Sequence, residues 1–226
     1  MGKSSLANLG LVLGLIVSAS VAQARIQMQG YQSRGAGCPE GSVQVMWAPD
    51  YRSFTILYDR LLLEAGRGRG ASGQINCEVE MHLQKHRLQG FAVEAVDFRG
   101  FVQLDPGVRA QQTVKVSSGS TKELRAISTD FGMQRWQGPA NQNYTLSTVR
   151  PARRPEILNC IPYRENTRLV VQTRLEISNA GGGRGGMMAV DSGDGRVMQR
   201  YHVRWQNCVE TTKDLIEDII GAIRRR

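Results

Sequence analysis

Ile75-Asn76-Cys77-Glu78-Val79-Glu80-Met81-His82-Leu83-Gln84 alternates apolar and polar side chains without a break. Successive side chains of a strand point to opposite faces, so a period of two describes a strand with one face in a core and the other in water. Ile75, Cys77, Val79, Met81 and Leu83 are expected to point inward, and Asn76, Glu78, Glu80, His82 and Gln84 outward. The stretch from Val197 to Trp205 repeats the pattern, with Val197, Tyr201, Val203 and Trp205 opposite Met198, Arg200, His202 and Arg204.

Working outward, similar runs predict strands at 42–47, 53–58, 91–104 with a bend at Gly100, 112–117, 144–149, 169–178 and 187–191. Turn signals separate them at Ala48-Pro49-Asp50, Asp105-Pro106-Gly107, Ser117 to Ser120 and Ser192-Gly193-Asp194-Gly195. Many short strands with such punctuation predict an all-β chain, an antiparallel β-sandwich or jelly-roll-like domain. Two glycine-rich segments that contain arginine, Gly66 to Gly73 and Gly181 to Gly186, are expected to be flexible hairpin loops. Beyond Cys208 the period changes: Leu215, Ile216, Ile219, Ile220 and Ile223 recur at helical spacing, with acids early and Arg224 to Arg226 last. That order suits the helix dipole and predicts a short C-terminal amphipathic helix, packed on its own sheet or held for a partner or membrane surface.

At the other end, Lys3 precedes an apolar stretch from Leu9 to Ala19, followed by small residues and Ala22-Gln23-Ala24. This is the charge, apolar run and A-x-A arrangement of a secretory signal peptide, with cleavage expected after Ala24. The run is about half of the roughly 20 residues a spanning helix needs, and no later stretch is long and apolar enough to span. The expected organisation is a signal peptide at 1–24, a secreted β-domain at 25–208 and a helical, basic tail at 209–226.

The four cysteines, Cys38, Cys77, Cys160 and Cys208, are even in number and widely spaced. In an exported chain they predict two structural disulfides. Three pairings exist; Cys38 with Cys77 and Cys160 with Cys208 is favoured because each bridge then closes its own half, while the nested and crossed pairings stay open. No two cysteines have the C-x₂₋₄-C spacing of zinc ligands, so no metal or other cofactor is expected.

Formal net charge is +9 from 29 basic and 20 acidic residues, and removing Lys3 with the leader leaves +8. Such a surplus favours anionic partners: acidic polymer, cell-surface material or nucleic acid. The basic residues are scattered, without a Lys/Arg run interleaved with aromatics, so no specific nucleic-acid groove is expected.

Catalytic candidates are few. His82, His86 and His202 are the only histidines, and neither G-x-S-x-G nor H-E-x-x-H occurs. Glu78, Glu80 and His82 share one strand face, as the polar side of any half-buried strand would. Asp191-Ser192-Gly193-Asp194-Gly195 lacks the closing glutamate of a calcium loop and reads as a turn. Asn143-Tyr144-Thr145 is a glycosylation sequon, meaningful in a glycosylating host.

Gly37-Cys38-Pro39-Glu40-Gly41-Ser42-Val43, Asn76-Cys77, Gly90-Phe91-Ala92-Val93 and Val96-Asp97-Phe98-Arg99-Gly100 resemble the secreted family named domain of unknown function 4360. Cys160, the run Leu169 to Ile177, Val190-Asp191-Ser192 and Tyr201-His202-Val203-Arg204-Trp205 to Cys208 extend the resemblance over most of the chain after the leader. It implies a secreted, cysteine-containing, β-rich domain and brings no catalytic residues. The arginine-bearing glycine loops and helical tail depart from it.

The leading expectation is a non-enzymatic secreted binding or envelope-associated protein that meets an anionic surface or polymer through a cationic face. The alternative is a secreted hydrolase acting on polysaccharide or cell-wall material, with Glu78 and Glu80 or Asp97 as carboxylates. A structural, coat-like component that self-associates is the third reading.

Overall fold

The alternation at 75–84 is realised as the outer part of a long strand whose odd-numbered side chains enter the core: Cys77, Val79, Met81 and Leu83 are buried and His82 is exposed. The structure, a computed structural model, describes residues 26–59, 61–66, 72–85, 89–119, 127–149, 166–179, 185–190 and 198–207. These residues form strands and no helix. In chain order the strands are β1 (Gln27–Arg34), β2 (Val43–Trp47), β3 (Ser53–Tyr58), β4 (Leu62–Ala65), β5 (Ser72–Gln84), β6 (Gln89–Leu104), β7 (Val108–Gly119), β8 (Ile127–Gln137), β9 (Ala140–Val149), β10 (Asn166–Asn179), β11 (Gly186–Ala189) and β12 (Gln199–Asn207).

Two antiparallel sheets result. One has five strands in the order β1-β5-β10-β7-β8; the other has seven, with β2-β3-β12-β6-β11-β4 in line and β9 on the free side of β6. Their inner faces share one core, with Val79, Met81, Leu169, Leu175 and Ile177 from the first sheet against Phe54, Ile56, Phe91, Val96 and Tyr201 from the second. Each large apolar side chain removed from water there contributes about 1.5–3 kcal/mol. Phe54 and Tyr201 stack with ring centroids 4.6 Å apart.

Polar groups are built into this core, among them Gln112, which accepts from Tyr144 at 2.8 Å, and Gln199. Gln199 is fully buried, and its Oε1 accepts hydrogen bonds from Tyr201 at 2.6 Å, Tyr58 at 2.9 Å and Thr173 at 3.2 Å. Thr173 belongs to the five-stranded sheet and the others to the seven-stranded one, so the amide bridges the two layers. Burial pushes the Tyr58 and Tyr201 phenols well above the usual range.

The links from β4 to β5, β6 to β7, β8 to β9 and β10 to β11 each join one sheet to the other. The strand ends they join gather at one end, since Leu104 is paired with Gly186 and Ala140, and Arg109 with Ser178 and Gln137. The chain is so tight there that a Cβ on Gly138 would sit 2.0 Å from the carbonyl oxygen of Asp105. Only glycine fits.

Several expectations change. The glycine-rich segments 66–73 and 181–186 connect strands of different sheets, so neither closes a hairpin; Gly73 lies in β5 and Gly186 in β11. Residues 117–119 extend β7 instead of turning, because they pair with β10 and Ser117 and Ser118 also pair with β8. β6 is not interrupted at Gly100. That glycine makes room for Tyr144, whose hydroxyl would be 2.3 Å from a Cβ there, and the register shift against β12 falls at Glu94. β1, β4 and β8 were not anticipated.

Cys38 and Cys77 form a disulfide with Cα atoms 5.2 Å apart, which holds the link between β1 and β2 down on β5. Cys160, Cys208, the leader with Ala24, Asp191, Asp194, His86 and the expected C-terminal helix lie outside the described residues. No helix among the described residues is long and apolar enough to cross a membrane.

Candidate binding face

The outward side chains of the five-stranded sheet fall into rows because antiparallel pairing sets residues directly opposite one another. One row crosses all five strands: Arg34 opposite Glu78, Glu78 opposite Gln172, Gln172 opposite Lys115, and Lys115 opposite Asp130. The next row runs Asn76, Arg174, Thr113, Met133, and the third runs Gln74, Glu176, Gln111, Arg135. Five strands about 4.8 Å apart make a row roughly 19 Å long. The rows bound a groove of about 810 Å³.

Hydrogen bonds fix these side chains across the strands. Arg34 reaches Glu78 Oε1 through Nε at 2.7 Å and Glu80 Oε2 through Nη2 at 2.6 Å. Gln172 donates to Glu78 Oε2 at 2.7 Å, and Glu80 Oε1 has Arg168 and His82 each at 3.5 Å. Arg174 pairs with Glu176 and donates to Gln74 at 2.7 Å, while Gln111 donates to Glu176 at 2.9 Å. The result is a flat lattice of guanidinium, amide and carboxylate groups on rigid strands, with donors and acceptors interleaved.

The expected trio Glu78, Glu80 and His82 is therefore brought together, and Arg34 joins both carboxylates. Their separation falls inside the roughly 10 Å window of paired glycosidase carboxylates. All four of their oxygens already face protein donors, however, so neither carboxylate has an oxygen reserved for a substrate proton. Glu80 lies beneath the surface, with a side chain 5% exposed.

Asp97 stands elsewhere, on the outer face of the seven-stranded sheet. Its Oδ1 accepts from Ser147 and its Oδ2 contacts His202 Nε2, both at 2.6 Å. Serine and histidine bond opposite oxygens of the aspartate, an order in which histidine cannot take the serine proton. Partial burial pushes the Asp97 carboxyl up, but hydrogen bonds from His202 and Ser147 with the charges of His202 and Arg200 outweigh it and hold the group below the usual range. Asp97 is a clamp between β6, β9 and β12. Among the described residues no three His, Cys, Asp or Glu side chains converge as metal ligands.

The charge of the described residues taken together is balanced. The described residues contain 11 Lys and Arg against 11 Asp and Glu, which leaves 29 − 11 = 18 basic and 20 − 11 = 9 acidic residues in the rest of the sequence. The surplus of +9 thus lies in the rest of the sequence, although the strands of the five-stranded sheet hold six basic residues, Arg34, Arg109, Lys115, Arg135, Arg168 and Arg174, against four acidic ones, Glu78, Glu80, Asp130 and Glu176.

Sequence reasoning missed Arg34, Asp130 and Met133 because β1 and β8 lack clear alternation. β8 is broken by a bulge: Thr113 pairs with Met133 and Lys115 with Asp130, with Gly132 at φ 96° between.

The model of the family called Domain of unknown function (DUF4360) matches residues 24–208. The chain belongs to this family. A relative, an uncharacterized secreted protein of Arthroderma benhamiae, is 26% identical over 193 residues, spanning 81% of this chain and 72% of its own. With a disulfide of the kind that persists in oxidising compartments, this family member is a secreted or envelope protein. Similar solved structures include TmCBM61 in complex with β-1,4-galactotriose, at 9% identity and TM-score 0.21 over 79% of this chain and 89% of that one. Another is a CBM4 structure at 11% identity and TM-score 0.23, over 82% of this chain and 81% of that one. Likenesses at that level assign no ligand.

Proposed function

We propose that this protein is a secreted, non-enzymatic binding protein whose five-stranded sheet receives a hydroxyl-bearing, anionic polymer of the cell envelope or surroundings. The observation that carries the reading is the row from Arg34 to Asp130: alternating donors and acceptors, fixed in register across a groove of about 810 Å³. Hydroxyl groups both donate and accept, so a mixed lattice suits a polyhydroxylated chain better than an apolar or uniformly charged ligand. The length of the row suits an extended segment. Anionic groups on such a chain would be met by the basic residues of this sheet, Lys115 and Arg174 among them, together with those in the rest of the sequence, attracting it over a distance of about 10 Å at ordinary salt.

Binding to heparin-agarose tests this. Retention at low salt that is lost at high salt is expected, and paired Lys115→Ala and Arg174→Ala substitutions should weaken it at least tenfold without lowering Tm. Retention indifferent to both salt and substitution would overturn the reading. The hydrolase alternative predicts release of reducing sugar from cell-wall polysaccharide that Glu78→Gln abolishes; the occupied carboxylate oxygens predict none.

A further inference from the structure

Between the edge of β1 and the turn after β2 lies a second cleft, of about 430 Å³, lined by Ile26, Gln27, Met28, Gln29, Trp47 and Tyr51. No part of the sheet lattice reaches it. Two backbone irregularities shape it. Tyr51 is the non-glycine residue at positive φ, 55°, among the described residues. Its N–H donates to Ala48 and its carbonyl accepts from Trp205 Nε1, both at 2.9 Å, so the backbone at Tyr51 is held in place. The other irregularity is a bulge in β1: Met28 pairs with Leu83 and Gly30 with His82, leaving Gln29 as the extra residue. A bulge re-aims side chains, and here Gln27, Met28 and Gln29 all border one cleft. Strained backbone held by specific bonds marks places where a fold maintains geometry for use.

The chemistry is an aromatic wall with an amide rim. Trp47 and Tyr51 have centroids 6.4 Å apart and planes inclined at 42°, and Phe54 backs Trp47 at 4.9 Å. Gln29 donates one N–H to Gln84 at 2.7 Å, and its carbonyl oxygen and the amide of Gln27 make no other hydrogen bond within the described residues. No charged side chain lines the cleft. We infer that this cleft binds an uncharged sugar ring, its C–H face against Trp47 and Tyr51 and its hydroxyls on Gln27 and Gln29; this rests on the reading of the sheet as a polysaccharide-binding face. A proline-rich peptide is the other ligand such walls take, but it presents carbonyls that call for indole donors. Here Trp47 Nε1 is buried, and Trp205 Nε1 is already bonded to Tyr51.

The experiment is calorimetric titration of the protein recovered from culture with hexasaccharides of β-1,4-glucose, β-1,3-glucose and β-1,4-N-acetylglucosamine, and with a proline decapeptide. At least one hexasaccharide should bind. Tyr51→Gly should weaken that binding at least tenfold while the protein stays folded, the free acceptance of φ 55° by glycine offsetting part of the ring packing lost. Gln27→Ala, at an exposed position, should weaken it severalfold. Unchanged affinity in both variants, failure of all three sugars, or displacement by the peptide would overturn the inference. Each of those results leaves heparin retention by the sheet face standing. Conversely, loss of that retention with hexasaccharide binding intact and sensitive to Tyr51→Gly would remove the anionic polymer and keep the sugar site.

Discussion

A single amide oxygen, Oε1 of Gln199, collects three hydroxyls in the space between the sheets. Replacing Gln199 with leucine keeps the volume and removes their common acceptor, and each buried hydroxyl left short of a partner costs about 1–3 kcal/mol. Because the three hydroxyls also bond one another and leucine removes the unpartnered Gln199 Nε2 as well, chemical denaturation of Gln199→Leu should show a net loss of roughly 2–3 kcal/mol, and Tyr58→Phe, which deletes the bond to Gln199 and those to Thr173 and Tyr201, roughly 1–2 kcal/mol. Asp97 gives a different dependence. Its carboxyl is held below the usual range in the fold, so its contribution is complete above the unfolded value near pH 4 and is lost as pH falls through the folded value. Melting curves should show wild type losing more Tm than Asp97→Asn between pH 5 and pH 2; equal losses would show that the clamp does not couple to folding. Gln199 was visible in sequence only as the residue that interrupts the inward face of its strand. A lone polar residue in an apolar register does not reveal which hydroxyls converge on it.

At the scale of strands, alternation located nine of the twelve, from Val43–Trp47 through Ser72–Gln84 to Gln199–Asn207. The misses share a cause. β1 is exposed or half-buried along its whole length, β4 has four residues, and β8 is broken by its Gly132 bulge, so none shows an unbroken period of two. The binding face suffered most, because its two outer strands are β1 and β8. β1 depends on the link that follows it, where Gly37 N–H donates to Asn76 O at 3.0 Å and Cys38 is bonded to Cys77. In the chain-entropy account a bridge closing a loop of about 40 residues contributes about 4 kcal/mol. Cys38→Ser with Cys77→Ser should lower Tm by many degrees and, in the folded fraction, release Arg34 from Glu78 and Glu80, read as weaker heparin retention than in Lys115→Ala alone.

For the molecule as a whole, two properties that composition presents together are separate. The described residues are neutral by count, and the surplus of basic residues falls in the rest of the sequence. Composition carries the net charge and not its placement, because net charge has no position until the strands are assigned. The separation predicts that stability and retention respond differently to salt: raising salt from 0.05 M to 0.5 M should release the protein from heparin while moving its Tm little, since the paired charges of the face lie within bonding distance.

The strand order of the smaller sheet also governs time. β5 lies between β1 and β10, and β10 pairs Cys77 with Thr173 and Val114 with the same residue, so its neighbours join stretches far apart in sequence. Chains dominated by such distant pairings close their loops late and fold in roughly milliseconds to seconds, slower than helical chains of the same stability. The five-stranded sheet, with β10 at its centre, is therefore completed only after β10, the tenth strand in chain order, is in place.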